Sequence, residues 1–353
     1  MALGKKKGLV GLDIGSSAIK AVELKPGGKG GEYHLVNLGL EPLPPEAIVD
    51  GAIMDSGAVI DSIQRLFSAN KIKTAEVATS VSGNAVIVKK ISLPQMTPEE
   101  LAESIHWEAE QYIPFDIQDV ALDYEVVEGS GSGGNMDVLL VAAKKDKIGD
   151  YTSAISQAGK APQIVDVDVF ALQNCYEVNY GLDPGRVIAL LNVGASIMNI
   201  NIIKGSNSIF NRDIAVGGNQ YTDAIQKDLN LSFDQAEALK RGARVEGTAP
   251  ENLNPILRAV SDNIVLEIQK TFDFFKATSS EDRIDRILLA GGTSKVTGLR
   301  ELLADRFDAG VEILNPFNNV IYNPREFDPD FISEIGPSAA VAVGLAVRRV
   351  GDR

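Results

Sequence analysis

The chain has 353 residues, 44% hydrophobic and 23% charged, which is a globular composition too long for one ordinary core and excludes wholesale disorder or a fibrous architecture. A balance of 34 basic against 48 acidic residues leaves a net charge of -14, arguing against broad contact with nucleic acid or an anionic membrane. The single cysteine, Cys175, and the two histidines, His34 and His106, exclude an intramolecular disulfide and the common Cys/His zinc sites, and fit a reducing cytoplasm.

In chain order, the basic segment Met1 to Lys7 is followed by an apolar run that Gly11, Asp13 and Gly15 interrupt, so no signal-peptide core is expected. Leu9 to Ile14, the turn Gly15-Ser16-Ser17 and Ala18 to Leu24 predict a hairpin, joined by a third strand at Tyr33 to Leu40 and a stiff loop over Glu41-Pro42-Leu43-Pro44-Pro45. Val59, Ile60, Ile63, Leu66 and Phe67 recur at helical spacing, and Val77 to Val81 returns to a strand. From Val86 the rhythm changes. A strand to Leu93 precedes a helix over Thr97 to Ile113, opened by a Thr97 cap with Pro98 and Glu100 behind it. Strands at Leu122 to Glu128 and Asp137 to Ala143 then flank a flexible tip at Gly129 to Gly134. A helix over Asp146 to Ala158, a strand over Gln163 to Val167 and a helix carrying Phe170, Leu172 and Cys175 complete this half.

The second half repeats the plan: strands at Val187 to Asn192, Ile197 to Ile203 and Ser208 to Ala215, then helices at Asn219 to Leu229, Phe233 to Arg241 and Asn254 to Ala277. A strand at Arg286 to Leu289, a Gly291-Gly292 turn and helices near Gly298 to Ala309 and Ser338 to Val347 follow. The stretch Pro337 to Val347 is about half the length a bilayer span needs. These elements predict a first lobe over 1–83 and 162–184, an inserted subdomain over 84–161 and a second lobe over 185–353.

Two turns carry the chemistry. In Leu12-Asp13-Ile14-Gly15-Ser16-Ser17 and Leu191-Asn192-Val193-Gly194-Ala195-Ser196, a polar residue ends a buried strand, and a Gly two positions on lets backbone N–H groups approach an anion. Either turn alone also reads as a tight hairpin. A third element, Leu288-Leu289-Ala290-Gly291-Gly292-Thr293, allows flat contact with a nucleoside at the end of a later strand. A GxxxxGK[ST] loop and a GxGxxG fingerprint are both absent.

This triple pattern resembles the superfamily of actin, the sugar kinases and the DnaK-type chaperones, whose phosphate 1, phosphate 2 and adenosine motifs occur in this order. The resemblance implies an actin-like α/β fold of two duplicated halves that clamp ATP and Mg2+. On matching positions it puts Asp13 by the metal and Lys20 on the phosphates with Gly15, Ser16 and Ser17, while Asn192, Gly194, Ala195 and Ser196 form the second phosphate turn. Gly217 and Gly218 open the following helix, Glu237 and Lys240 flank the adenine, and Gly291, Gly292 and Thr293 face the nucleoside. Asp168, beside Asp166 at a strand end, falls where the superfamily often positions the attacking water. Asn192 departs from the Asp usual there and brings no charge to a magnesium shell, so binding is expected to exceed hydrolysis.

The placement of the insertion is similar to that in FtsA. Ile91-Ser92-Leu93-Pro94, Glu108-Ala109-Glu110-Gln111-Tyr112-Ile113-Pro114-Phe115 and Val165-Asp166-Val167-Asp168 more narrowly resemble the PilM family of type IV pilus assembly, nearly end to end. FtsA ends in an amphipathic membrane helix, for which Arg348 to Arg353 leaves no room. The resemblance implies a cytoplasmic scaffold that docks the N-terminal tail of PilN, meets other pilus assembly proteins, reaches the membrane only through PilN, binds no nucleic acid and possesses a capacity for self-association. Its rivals are an FtsA-like filament former and a small-molecule kinase. On the helix Thr97 to Ile113, the stripe Leu101, Ala102, Ile105, Ala109, Tyr112 and Ile113 predicts the buried face, and Trp107 points away from it. Trp107 then either packs against the first lobe or borders a groove that receives the PilN tail.

Overall fold

The structure, a computed structural model, describes residues 8–27, 31–127 and 134–352; Met1 to Lys7 and most of the expected tip at Gly129 to Gly134 lie outside them. The first half contains β1 (Val10–Ile14), β2 (Ala18–Pro26), β3 (Tyr33–Pro42), the small hairpin β4 (Ile48–Val49) and β5 (Ala52–Ile53), α1 (Ser56–Ala69) and β6 (Glu76–Val81). Next come β7 (Val86–Pro94), α2 (Pro98–Glu110), β8 (Val120–Val127), β9 (Asn135–Lys144), α3 (Lys145–Gln157), β10 (Ala161–Val167) and α4 (Asp168–Tyr180). The second half contains β11 (Val187–Val193), β12 (Met198–Lys204), β13 (Asn207–Ile214), α5 (Asn219–Leu229), α6 (Phe233–Lys240) and α7 (Pro250–Thr278). It closes with β14 (Arg286–Ala290), α8 (Leu299–Arg306), β15 (Gly310–Ile313), β16 (Val320–Ile321), α9 (Pro329–Ile335) and α10 (Ala340–Ala346).

The internal repeat is visible in the strand order. One sheet runs β10-β6-β1-β2-β3-β16 and the other β13-β12-β11-β14-β15, so β3-β2-β1-β6-β10 matches β13-β12-β11-β14-β15. In each, an antiparallel hairpin is flanked by a parallel strand: β1 pairs with β2 and β6, and β11 pairs with β12 and β14. Helices α4 and α10 fill the space between the sheets, where Leu172 and Val343 share a core with Val22 and Leu38 on one side and Leu190 and Leu288 on the other.

Several boundaries differ from the sequence reading. The stiff loop is partly strand, because β3 continues through Glu41 to Pro42, which pairs with Ala18 at a strand end where a missing N–H is tolerated. The Thr97 cap is as predicted: Thr97 Oγ1 accepts the Glu100 N–H and the Glu100 carboxylate accepts the Thr97 N–H. The helix it opens ends at Glu110, although Ile113 still enters the subdomain's core. Strands β15 and β16 and helix α9 were not expected.

The lobes also trade segments. The insertion's own core comes from β7, β8, β9 and α2, whereas Tyr151, Ala154 and Ile155 of α3, placed by sequence within 84–161, pack against Ile63, Leu66 and Val77 of the first lobe. Near the C-terminus, β16 pairs with β3 and α10 packs on α4 and β1, so this part of the expected 185–353 lobe returns to the first. The contact is backbone to backbone. A Cβ on Gly344 would lie 1.6 Å from the Ala171 carbonyl oxygen, and one on Gly11 would lie 2.0 Å from that of Ala342. Arg348 then pairs with the buried Asp166 carboxylate, whose pKa burial nevertheless pushes up.

Candidate functional site

A cleft of about 500 Å³ opens between the lobes where the two hairpin turns approach each other. In the first turn the Gly15 N–H donates to the Ala18 carbonyl at 3.2 Å, and in the second the Gly194 N–H donates to Ile197 at 3.0 Å. Asp13 and Lys20 are cross-strand partners in register, and their side chains, each 14% exposed, meet at 3.1 Å. A partly buried cation–carboxylate pair at the rim of a glycine turn can accept an anion, because Lys20 has donors left over after its bond to Asp13.

On the opposite wall the start of α5 is fastened to the second turn. The Gly218 and Asn219 N–H groups donate to the Gly194 and Ala195 carbonyls, both at 2.9 Å, and a Cβ on Gly217 would lie 2.5 Å from the Gly194 oxygen. Gly217 is therefore needed for close approach and lies beneath the cavity wall, while Gly218 is on it. Glu237 of α6 accepts from Thr222 and Lys240, and Lys240 also reaches the Gly218 carbonyl at 3.2 Å. Burial pushes the Glu237 pKa up, but Lys240, Thr222 and Arg241 outweigh it and hold the carboxyl below its ordinary value; burial lowers Lys240. At the third wall Gly291 adopts φ +86°, its missing Cβ avoiding the Val193 oxygen at 2.2 Å, and Thr293 Oγ1 donates to Gly194 at 2.8 Å.

Every residue predicted for the nucleotide lies on this one cavity except Gly217: Asp13, Gly15, Ser16, Ser17 and Lys20 face Asn192, Gly194, Ala195 and Ser196, with Gly218, Glu237, Lys240, Gly291, Gly292 and Thr293 around the mouth. Asp168 joins them as the first residue of α4, accepting from Ser80 Oγ at 2.6 Å. Burial, and then the Asp13 charge, push the Asp168 pKa up to about 6 against the opposing hydrogen bonds of Ser80 and Ser82. Trp107 is far from this chemistry in character: it is 74% exposed on α2, so it does not pack against the first lobe. Cys175 is fully buried, its thiol pKa raised by that burial, and both histidines are exposed.

Sequence reasoning missed a polar group behind the second turn. Asn192 donates to Asn199 at 2.9 Å, Asn199 donates to Asp213 at 2.8 Å, and Asp213 accepts the Gly83 N–H of the other lobe at 2.6 Å. Lys147 of α3 donates to the Gly51 carbonyl at 2.5 Å; burial lowers its pKa, opposed by the charges of Asp168, Asp213 and Asp150.

The sequence matches the type IV pilus assembly protein PilM family over residues 11–350. The chain belongs to the PilM family. Its structure is similar to that of a chain in a PilM–PilN type IV pilus biogenesis complex, with 30% identity, a TM-score of 0.87, and coverage of 99% of this chain and 100% of that one. The ethanolamine utilization protein EutJ of Carboxydothermus hydrogenoformans is 13% identical with a TM-score of 0.57 over 97% of this chain and 90% of its own. MreB5 of Spiroplasma citri, solved with ADP, is 13% identical with a TM-score of 0.55 over 96% and 94%. These last two establish the actin-like fold alone. Among the described residues of this PilM-family chain, no helix is long and apolar enough to cross a membrane.

The same residues can be tested against a magnesium ion. Among the described residues no group of three or more His, Cys, Asp or Glu could hold a metal. Mg2+ does not require such a group, because it keeps several waters and takes one or two carboxylates plus substrate phosphates. Asp13 is the carboxylate at the first turn, and Asn192 supplies a neutral oxygen at the second.

Proposed function

We propose that this PilM-family protein binds ATP with Mg2+ in the interlobe cleft, chiefly as a structural switch, and docks the N-terminal cytoplasmic tail of PilN. One observation carries the nucleotide reading: two glycine turns, the Asp13–Lys20 pair and the Glu237–Lys240 pair line a single cavity between duplicated lobes. Lys20 and the turn amides would hold the phosphates, Asp13 would orient the hydration shell of Mg2+, and Gly291 to Thr293 with Glu237 and Lys240 would face the nucleoside. Bound Mg2+ would neutralise phosphate charge. Asp168 would position a water, but with Asn192 opposite, turnover would be slow.

The PilN reading is supported by the relative solved in a PilM–PilN complex, at 30% identity over almost the whole chain. Such docking would place the protein in the cytoplasm at the inner membrane, held there through its partner and in contact with other pilus assembly proteins. Trp107, exposed on α2, is the aromatic we assign to the tail-binding surface. Calorimetric titration with a synthetic PilN N-terminal peptide, with and without ATP and Mg2+, tests the docking half, and titration with ATP and Mg2+ alone tests the nucleotide half. Saturable peptide binding supports the scaffold role, and a peptide that does not bind in either state refutes it.

A further inference from the structure

Asn192, Asn199 and Asp213 form one row across three neighbouring strands. Asn192 is the cross-strand partner of Asn199, and Asn199 that of Asp213, so their side chains lie on the same face at the cleft end of the second sheet. An amide can turn either end to a neighbour, but an ionised carboxylate has only acceptors. The Asp213 oxygens take the Gly83 N–H at 2.6 Å and the Asn199 Nδ2 at 2.8 Å. Burial pushes the Asp213 pKa up, while these two bonds and the Lys147 charge favour its ionised form. Asn199 thus has its oxygen directed to Asn192, whose Nδ2 donates to it at 2.9 Å. The remaining Asn192 oxygen lies at the cavity wall, 2.8 Å from where a Cβ on Gly291 would stand, and no described residue donates to it.

We propose that Asp213 is a positioning residue: acting through Asn199, it makes Asn192 present an oxygen acceptor, not an NH2 group, to the cleft. An acceptor there suits a hydrated divalent cation, whose waters are strong donors, whereas an amide NH2 would repel them. The purpose assigned to the relay rests on the nucleotide reading; its hydrogen-bond logic does not. The relay also crosses the lobes, because Gly83 stands at the entry to the inserted subdomain.

The logic makes a reversal possible. Asp213→Asn can keep its oxygen on Gly83 and turn its NH2 to Asn199, which then flips and offers its own NH2 to position 192. Asn192→Asp alone sets a carboxylate against the Asn199 oxygen, but Asn192→Asp combined with Asp213→Asn restores every bond with the charge moved to the cleft.

The test uses the full chain in four forms: unmodified, each single variant and the double variant. Melting without nucleotide reads the relay itself. We expect the double variant to melt higher than the Asn192→Asp protein, and an equal or lower melting temperature overturns the relay. Calorimetry with ATP, with and without Mg2+, reads its purpose. Asp213→Asn is expected to reduce the gain in ATP affinity on adding Mg2+ by about tenfold, the scale of one charge-assisted hydrogen bond, and the double variant to recover it. An unreduced gain in Asp213→Asn overturns the positioning role. An unmodified protein that binds no ATP refutes the nucleotide reading and the relay's purpose together, leaving the melting series to judge the relay.

Discussion

The Lys20 ammonium lies 3.1 Å from the Asp13 carboxylate, directly across the first hairpin. In this geometry the lysine is already desolvated and oriented before a phosphate arrives, so little ordering entropy remains to be lost on binding. ATP with Mg2+ is expected to raise the melting temperature, with a stabilisation of about 2.7 kcal/mol at a hundredfold excess over Kd. Lys20→Ala should remove most of that shift and leave Asp13 partly buried without its cation. Thermal melts of nucleotide-free protein, with and without millimolar ATP, check this; no shift in the unmodified protein contradicts it.

Hydrolysis should be slow. Asn192 contributes no charge, and the carboxylate of its row, Asp213, is held two strands away at the Gly83 amide. Steady-state phosphate release is expected well below about 10 per second, the ordinary enzyme median. A rate above that median would mean that another group supplies the missing electrostatic stabilisation.

Asp168 predicts a pH dependence. Its folded-state pKa of about 6 lies above the ordinary 3.8, so the fold favours its protonated form. This contribution is fully present below about pH 4 and is lost as pH rises through about 6, amounting to about 1 to 3 kcal/mol. In nucleotide-free protein, Asp168→Asn should flatten the fall in stability between pH 5 and pH 7, measured by urea unfolding. An identical slope in the variant would remove Asp168 as its cause.

Gly344 should tolerate no side chain. A Cβ there would sit 1.6 Å from the Ala171 carbonyl oxygen, which belongs to a packed helix and has no flexible end to yield. Gly344→Ala is expected to cost about 3 kcal/mol or more by forcing α10 away from α4. Gly185→Ala, where the nearest atom stands 3.5 Å away, provides a comparison expected to be nearly neutral in the same denaturation experiment.

Trp107 is the only tryptophan and is 74% exposed, so its emission in the free protein should be that of a solvated indole. Addition of the PilN peptide should shift the emission to the blue, and Trp107→Ala should weaken binding about thirtyfold, the scale of a hot-spot aromatic. A folded variant with unchanged affinity would place the tail elsewhere.

The two hairpins and their glycine turns were legible because each combines a buried apolar strand with a turn that few other residues could make. So was the repeat, since both halves open with the same strand, turn, strand order. The relay was hidden because Asn199 and Asp213 sit at alternating strand positions that, in one dimension, look like a solvated face. Only the pairing of β11, β12 and β13 reveals that they stand in line. The allegiance of α3 was equally invisible: Tyr151 and Ile155 are apolar at helical spacing, but spacing does not say which neighbouring core receives them. The strands β15 and β16 are four and two residues long, too short for alternation to register.

The return of α10 to β1 and α4 has a consequence for synthesis on the ribosome. At ordinary translation rates, the first strand waits on the order of tens of seconds before residues 340–346 emerge to cover it. Until then Val22, Leu38 and Leu172 lack much of the apolar surface that buries them in the finished molecule. The lobe made first thus keeps an incompletely covered core until α10 has been made.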